Sequence, residues 1–302
     1  MGNSIIEALS TGETLVADGA TGTMLMTAGL PAGAPPEAWN VENPEQILHL
    51  HQAYLDAGSQ IILTNTFGGS RIKLDKAGYG AQIHEFNRQA GILARQAAAN
   101  RSHDGVTAFV AGDLGPTGEM TAPFGPLTFE KALDCFREQA AALAEGGVDF
   151  FWIETMSDLK ETRAAVMAAR EVAPELAVFC SFSFTGRGKT MMGLDARQAA
   201  KELWPLGLSA IGANCGKGLD IIEPVLMQFA ETLPGVPLIA KPNAGLPRLV
   251  DGQTLYDTPP DTFAARIQEF TQIGARVVGA CCGSSPEYIA AICARLSEKE
   301  DV

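Results

Sequence analysis

The chain has 302 residues, of which 46% are hydrophobic and 19% charged, so it can bury a large core without disulfide bonds. Its net charge of -13 leaves no Lys/Arg cluster for a row of phosphates, which excludes nucleic acid as an expected partner. The first residues lack the basic and apolar regions of a signal peptide, and no later segment approaches the ~20 apolar residues of a membrane span. We therefore expect a cytoplasmic protein without a membrane partner; the sequence predicts no oligomeric state.

Short runs of β-branched and aromatic residues alternate along the whole chain with longer runs of helical periodicity. We predict eight strands, at Thr14–Asp18, Gln60–Thr66, Val106–Ala111, Asp149–Glu154, Ala177–Phe184, Ser209–Asn214, Val236–Lys241 and Ala275–Cys281. Parallel strands joined by crossover helices produce this alternation, and eight evenly spread units favour a closed barrel over an open sheet. The prediction is an α/β protein with one (β/α)8 TIM-barrel domain over residues 1–302, whose functional site lies at the C-terminal mouth of the strands.

Three of the six cysteines follow predicted strands at this mouth. Cys281 and Cys282 come where the last strand breaks into a loop, so that neighbouring side chains can reach one metal ion, and Cys215 ends a strand two units earlier. Three thiolates would occupy three corners of a tetrahedral zinc site and leave the fourth open, as in catalytic zinc sites. The alternatives are buried core thiols or a strained disulfide between Cys281 and Cys282. The remaining cysteines lie within helical or strand patterns and are expected in the core: Cys135, Cys180 and Cys293.

Seven segments then occur in order along nearly the whole chain: DGATGTML, TNTFGGSR, DLGPTGE, ETMSDL, GANCGKG, KPNAGLP and GACCGSSP. Together they resemble the homocysteine-binding barrel of the homocysteine S-methyltransferase family, which includes betaine-homocysteine methyltransferases. TNTF, KPNAGLP and YDTPPDTFA are most similar to the homocysteine domain of the cobalamin-dependent methionine synthase branch.

The resemblance implies a zinc-dependent S-methyltransferase that forms methionine from homocysteine, with zinc on Cys215, Cys281 and Cys282. A free thiol is mostly protonated at neutral pH, whereas zinc coordination yields the thiolate that attacks a methyl group. The resemblance also implies that Asn243 is a metal ligand which the substrate displaces. The alternative role for Asn243 is turn formation in Pro-Asn-Ala-Gly.

The substrate carries an ammonium and a carboxylate, and the resemblance implies that Asp18 and Glu154 hold the ammonium. Either acid could instead cap a loop or pair with a Lys or Arg of the barrel. Backbone N–H groups in a tight turn could hold the carboxylate, and two hydroxyls could add contacts, although Thr is also a common strand residue. These further substrate-binding candidates are Gly19, Ala20, Thr21, Thr64 and Thr66.

The methyl donor stays open among three candidates: methylcobalamin on a separate corrinoid protein, glycine betaine and S-methylmethionine. Methylcobalamin on a separate corrinoid protein is slightly favoured, because the sequence shows no segment typical of a folate-, cobalamin- or reactivation-type domain. Glycine betaine comes second. A quaternary ammonium or sulfonium would need an aromatic-lined pocket. The aromatic residues near the mouth are more commonly core or lid residues and do not decide the question: Trp39, Phe67, Phe124 and Phe184.

Two other classes of protein remain. Lys241 ends a predicted strand and could form a Schiff base, which would make the chain a metal-independent barrel aldolase or lyase. A non-catalytic zinc-binding protein would instead close the fourth corner with a protein ligand. His49 and His51 lie two residues apart on a predicted helix, on different faces, and are not expected to form a metal pair.

Overall fold

The computed structural model describes residues 4–102, 107–246, 248–250 and 253–298. The strands in these ranges are β1 (Leu15–Val16), β2 (Ile61–Leu63), β3 (Phe109–Leu114), β4 (Phe150–Met156), β5 (Ala177–Phe182), β6 (Ala210–Cys215), β7 (Leu238–Pro242), β8 (Arg248–Val250), β9 (Gln253–Leu255) and β10 (Ala275–Val278). Eight of them form one parallel sheet in the order β1-β10-β7-β6-β5-β4-β3-β2. Ala17 forms a parallel bridge with Ile61, which joins the two edge strands. The sheet is therefore a nearly closed barrel, and the predicted (β/α)8 fold is confirmed.

Helices follow the strands and cover the barrel. They are α1 (Ile5–Ser10), α2 (Thr21–Thr27), α3 (Trp39–Glu42), α4 (Pro44–Asp56), α5 (Arg71–Lys76), α6 (Ile83–Ser102), α7 (Phe129–Glu145), α8 (Leu159–Val172), α9 (Ala196–Leu203), α10 (Leu219–Thr232), α11 (Pro260–Ile273) and α12 (Pro286–Ser297). None of these helices, within the ranges described, has both the length and the apolar character needed to cross a membrane.

Two differences from the predicted strands affect the site. The third strand was predicted at Val106–Ala111, but β3 runs to Leu114 because Asp113 and Leu114 continue the pairing with β4. Val106 lies outside the described residues. The antiparallel pair β8–β9, between β7 and α11, was not predicted.

Side-chain alternation divides the apolar residues into two layers. Along β4, Phe150 and Trp152 belong to the cluster inside the barrel, whereas Phe151 and Ile153 pack between strands and helices. The next inward position is Glu154, near the end of the strand. The barrel is thus filled with apolar side chains until the strands end, where polar ones begin.

Helix α1 covers the opposite end of the barrel, which we call the base. Its buried Ile5 and Leu9 belong to the cluster inside the barrel. Ser4 caps the helix, since its side chain accepts a hydrogen bond from the Glu7 N–H while the Glu7 carboxylate accepts one from the Ser4 N–H. The base is therefore sealed by packing.

Candidate active site at the C-terminal mouth

A cavity of about 580 Å³ opens at the C-terminal mouth of the barrel. Its volume is typical of small-molecule sites. Residues predicted from the sequence line it: Gly19, Ala20, Thr21, Thr64, Thr66, Glu154, Cys215, Lys241, Cys281 and Cys282. Asp18 and Asn243 are almost fully buried. A second cavity, of about 610 Å³, lies between α7 and α8, and its lining contains no cysteine or histidine.

The three predicted metal ligands meet at this cavity. The sulfur atoms of Cys215, Cys281 and Cys282 all lie within 4.8 Å of one another. Cys215 ends β6 in the left-handed region, with φ of 55°, and Gly216 follows with φ of 72°. A Cβ on Gly216 would lie 2.6 Å from the Phe184 carbonyl oxygen, so a residue without a side chain is needed there. A left-handed non-glycine residue is strained, which is common at functional sites.

The loop that carries the other two cysteines is held by backbone hydrogen bonds. The Cys281 N–H donates to the Pro242 carbonyl at 2.7 Å, and the Cys282 carbonyl accepts from the Ala244 N–H at 3.0 Å. Gly283 has φ of 80°, and a Cβ there would overlap the ring of Tyr256, which also lines the cavity. The two neighbouring thiols are therefore presented by a tightly packed turn.

The sulfur atoms are electrostatically coupled. Hydrogen bonds from Cys281 and Cys282 lower the pKa of Cys215 to about 3. The hydrogen bond to Cys215 raises the pKa of Cys281 to about 11 and also raises the pKa of Cys282. The proton affinity of each sulfur in the cluster thus depends on its two neighbours.

Asn243 lies beside this cluster. Its Nδ2 donates to the Gly216 carbonyl at 2.9 Å, and its side chain helps to lower the pKa of Cys215. Its Oδ1 is buried and has no hydrogen-bond partner among the described residues. A buried carbonyl without a partner costs about 1–3 kcal/mol. Three sulfurs and an unpaired oxygen fit the ligand preference of zinc.

A buried ion-pair cluster lies close to the sulfurs. Lys241 Nζ is 3.1 Å from Asp18 Oδ1 and 3.9 Å from Glu154 Oε2. Burial alone would lower the pKa of Lys241, but the nearby carboxylates outweigh burial and raise it. A Schiff-base lysine must be a neutral amine, so this environment opposes the aldolase alternative.

A hydrogen-bond network orients Glu154. Asn214 Nδ2 donates to Glu154 Oε2 at 3.3 Å and to Thr155 Oγ1 at 2.6 Å, while Asn214 Oδ1 accepts from the Thr155 N–H and from Ser181. Thr155 is left-handed, with φ of 60°. Burial raises the pKa of Glu154 to about 7, although Lys241 opposes this. The hydrogen bonds of Asn214 therefore hold the Glu154 carboxylate in one position at the end of β4.

Asp113 is a cavity residue that the sequence analysis missed. Its side chain is 3% exposed, and its N–H donates to Thr64 Oγ1 at 3.0 Å. Thr64 and Thr66 hydrogen-bond to each other, and Thr66 donates to the Asp113 carbonyl at 2.8 Å. Both predicted hydroxyls are thus engaged with β3. The inward positions Phe109, Ala111 and Asp113 show an alternation that could have identified this aspartate.

Part of the turn that was predicted to bind the substrate carboxylate, Gly19–Ala20–Thr21, already forms hydrogen bonds within the chain. The Ala20 N–H donates to Ser284 Oγ at 3.0 Å, and the Ala20 carbonyl accepts from the Tyr54 hydroxyl at 2.9 Å. A Cβ on Gly19 would lie within 3 Å of both partner side chains. Gly19 and Thr21 remain candidates for contact with a ligand.

The rim of the cavity carries charges that the sequence analysis also missed. Lys73 Nζ lies 4.4 Å from the centre of the Phe67 ring, and the nearly buried Glu37 accepts a 2.5 Å hydrogen bond from the Gly68 N–H. Burial raises the pKa of Glu37 and lowers the pKa of Lys73. Among the aromatic candidates, Phe67 lines the cavity and is 38% exposed, Phe124 is 75% exposed, and the other two are core residues: Trp39 and Phe184.

A barrel with three thiols and buried carboxylates at its mouth is an enzyme fold whose site suits thiol chemistry. The family model for homocysteine S-methyltransferase matches residues 15–296, and the chain belongs to this family. The resemblance stated from the sequence is therefore confirmed.

The relatives support the same assignment. Methionine synthase of Mycobacterium leprae (strain TN) is 28% identical over 298 residues, covering 95% of this chain and 24% of the relative. Methionine synthase of Mycobacterium tuberculosis (strain ATCC 25618 / H37Rv) is 28% identical over 294 residues, with 94% and 24% covered. The chain thus spans about a quarter of the length of these curated relatives.

The solved homocysteine methyltransferase MmuM of Escherichia coli is similar over its full length. Its oxidized form gives a TM-score of 0.83 at 26% identity and covers 97% of this chain and 100% of MmuM. Its metallated form gives 0.82 at 25% identity, with 95% and 98% covered. A metal is consistent with the thiol cluster of the present chain.

Proposed function

We propose that this chain, as one domain over residues 1–302, transfers a methyl group to the thiol of homocysteine and forms methionine. Cys215, Cys281 and Cys282 would hold Zn²⁺, with Asn243 as the ligand that the substrate replaces. The observation that carries the proposal is the cluster of three sulfurs within 4.8 Å at the mouth, beside the unpaired Asn243 oxygen. Three protein ligands and one replaceable ligand are the pattern of a catalytic zinc site.

Zinc, when bound, would favour the thiolate form of homocysteine at neutral pH. The sulfur would then form a bond to the donor methyl carbon, while the bond between methyl and donor breaks and its electron pair leaves with the donor. The cysteines supply negative charge that keeps the sulfur electron-rich. The barrel mouth holds the acceptor in place, which lowers the entropic part of the barrier.

The buried acids form the side of the cavity that attracts the substrate ammonium. Glu154 lines the cavity, and Asp18 lies behind it in contact with Lys241. Opposite charges attract several-fold more strongly in a closed pocket than in water. The remaining proposed contacts are the turn and the two hydroxyls: Gly19, Ala20, Thr21, Thr64 and Thr66.

We favour methylcobalamin as the donor, carried by a corrinoid domain or protein outside these 302 residues. The support is the similarity to about a quarter of proteins named methionine synthase. Glycine betaine is the second candidate, because the Phe67 ring already contacts the Lys73 ammonium at the rim beside Glu37. Aromatic faces attract quaternary ammonium groups in the same way.

Zinc-edge X-ray absorption during a homocysteine titration tests the acceptor half of the proposal. We expect about one zinc per chain and a change from three sulfurs plus one light atom to four sulfurs. Unchanged coordination would contradict the proposal and favour a non-catalytic zinc protein. Activity that resists chelators, together with borohydride trapping of a substrate on Lys241, would favour the aldolase class. A panel of methyl donors with homocysteine, assayed for methionine, then identifies the donor.

A further inference from the structure

We propose that Tyr256 protects Cys282 from methylation, so that the donor methyl group goes to the sulfur of the substrate and not to a sulfur that holds the metal. The inference rests on the proposed function, because it assumes that a methyl donor enters the cavity beside the three cysteines. It adds to that function a residue that decides which sulfur reacts.

The three cysteines of the cluster are themselves methyl acceptors of the same chemical class as the substrate. None of them is fully buried, and all three line the cavity. A thiolate is the reactive form of a cysteine, and it is also the form that binds zinc. If a donor reached Cys282, the sulfur would form a bond to the methyl carbon while the bond between methyl and donor breaks and its electron pair leaves with the donor. The product would be a neutral thioether without the negative charge of a cysteine ligand.

Tyr256 lies directly against the turn that carries Cys282. It follows β9 and lines the cavity together with the three sulfurs. A Cβ on Gly283 would overlap the Tyr256 ring, so the ring packs on the backbone next to Cys282. Burial, the charges of the sulfurs and a hydrogen bond to Cys282 raise the pKa of Tyr256 to about 12. The ring therefore covers one side of the turn, and the hydroxyl faces the Cys282 sulfur.

Backbone hydrogen bonds hold the Tyr256 segment in this place. The Thr258 N–H donates to the Ala244 carbonyl at 3.2 Å, and the Ala244 N–H donates to the Cys282 carbonyl at 3.0 Å. The Tyr288 hydroxyl donates to the Thr258 carbonyl at 2.7 Å. The segment that carries Tyr256 and the turn that carries Cys282 are thus connected through Ala244, so the ring keeps its position beside the sulfur.

Tyr256 lowers the reactivity of Cys282 in two ways. The ring occupies space from which a donor would otherwise reach the sulfur. The hydroxyl donates a hydrogen bond, which stabilises a thiolate and lowers its pKa, and the nucleophilicity of a thiolate falls as its pKa falls. Both effects favour methylation of the substrate sulfur over methylation of Cys282.

The test measures methylation of each cysteine with methyl iodide as the probe. The zinc-loaded full chain is treated without homocysteine, and mass spectrometry of fragmented peptides gives the methylated fraction of Cys215, Cys281 and Cys282 over time. In Tyr256→Phe we expect methylation of Cys282 to be about 2- to 10-fold faster than in the wild type, as for loss of one hydrogen bond. Tyr256→Ala should react faster still, because it also removes the ring.

Tyr79→Phe and Tyr79→Ala are the matched controls. Tyr79 is likewise partly buried and packs against Phe86, but it is not one of the residues that line the cavity. Both variants should keep the wild-type rates at all three cysteines. If Tyr256→Ala does not retain zinc, Tyr256→Phe, which keeps the ring, decides alone.

The outcomes separate the two proposals. Wild-type rates at Cys282 in both Tyr256 variants overturn the present inference. An equal rise at all three cysteines also overturns it, because that result would show a general opening of the cavity. A rise confined to Cys282 in Tyr256→Ala alone would support protection by the ring and not by the hydroxyl. The proposed function fails separately, in the absorption experiment with homocysteine, since the methyl iodide measurement uses no homocysteine.

Discussion

The base and the mouth of the barrel are built from opposite ends of the same strands, and they use burial differently. At the base, Ile5 and Leu9 pack onto the apolar interior, where burial of apolar area stabilises the fold. At the mouth, Asp113, Glu154 and Lys241 are just as buried but ionisable, and desolvation of their charged forms costs free energy. The free energy gained by packing the apolar interior thus offsets the cost of burying ionisable side chains at the mouth.

The largest expected effect is at the mouth. Cys215→Ala should reduce zinc from about one per chain to none detectable and abolish methionine formation, because two sulfurs form an incomplete site. The unfolding free energy of the metal-free chain should change by about 1 kcal/mol or less, since one small group is removed. Metal analysis and urea unfolding measure the two effects.

Cys293→Ala is the matched control for that variant. Cys293 is a partly buried thiol on α12, outside the cluster, and its loss should leave zinc and activity unchanged. Stoichiometric zinc in Cys215→Ala would refute the assigned ligand set.

The reverse pattern is expected at the base. Leu9→Ala should lower the free energy of unfolding by about 2–4 kcal/mol, because a buried side chain is replaced by a cavity. Zinc content and homocysteine affinity should stay at wild-type values in the folded fraction. Ile6→Ala, on the same helix but 47% exposed, should cost much less in urea unfolding. Loss of zinc in Leu9→Ala would show that the two ends are coupled.

His51 is a buried ionisable residue away from the mouth, so it shows what burial of such a group does to stability where no substrate binds. It lies in α4, and neither ring nitrogen has a partner among the described residues; burial lowers its pKa from 6.5 to about 4. Between these pH values the unfolded chain binds more protons, so stability falls as pH falls from 6.5 towards 4. The metal-free chain should lose about 2 kcal/mol through this ring between pH 7.5 and pH 5.

His51→Leu should remove that loss while leaving homocysteine binding to the zinc-loaded chain unchanged at pH 7.5. Urea unfolding at the two pH values measures the difference. His49→Leu, at an exposed position of the same helix, is the control and should keep the wild-type loss. An equal loss in His51→Leu would mean that another group is responsible.

The smallest effect is expected at the start of α1. Ser4→Ala removes the capping hydrogen bond to Glu7 and should lower the free energy of unfolding by about 1 kcal/mol, with activity unchanged. Ser10→Ala, at the exposed end of the same helix, should cost less. Equal values for the two variants would show that the cap contributes nothing to closing the base.

The barrel fold and the proximity of the three cysteines could both be predicted from the sequence, because the C-terminal ends of parallel strands meet at the same mouth. Cys215, Cys281 and Cys282 needed only the strand ends to be roughly right. Asp113 was missed because its face depends on strand register, and an error of a few residues at the end of β3 hid its inward direction.

Other features of the site depend on contacts between distant segments. The left-handed conformations of Thr155 and Cys215 arise where strand ends meet neighbouring loops, and local propensity does not predict a positive φ there. The pairing of Lys241 with Asp18 joins β7 to the end of β1, 223 positions apart in the numbering. Charge pairing of this kind becomes visible only once the barrel is assembled.

Asp18 helps to close the barrel where the edge strands β1 and β2 meet. Strands β1 and β2 share one bridge, at Ala17 and Ile61, but the Asp18 N–H donates to the Ile61 carbonyl at 3.0 Å and the Asp18 carboxylate takes the Leu63 N–H. The Asp18 side chain thus adds one hydrogen bond between β1 and β2 beyond the last one formed by the backbone. Closure of the barrel is therefore a structural role for Asp18 that is independent of any contact with a substrate.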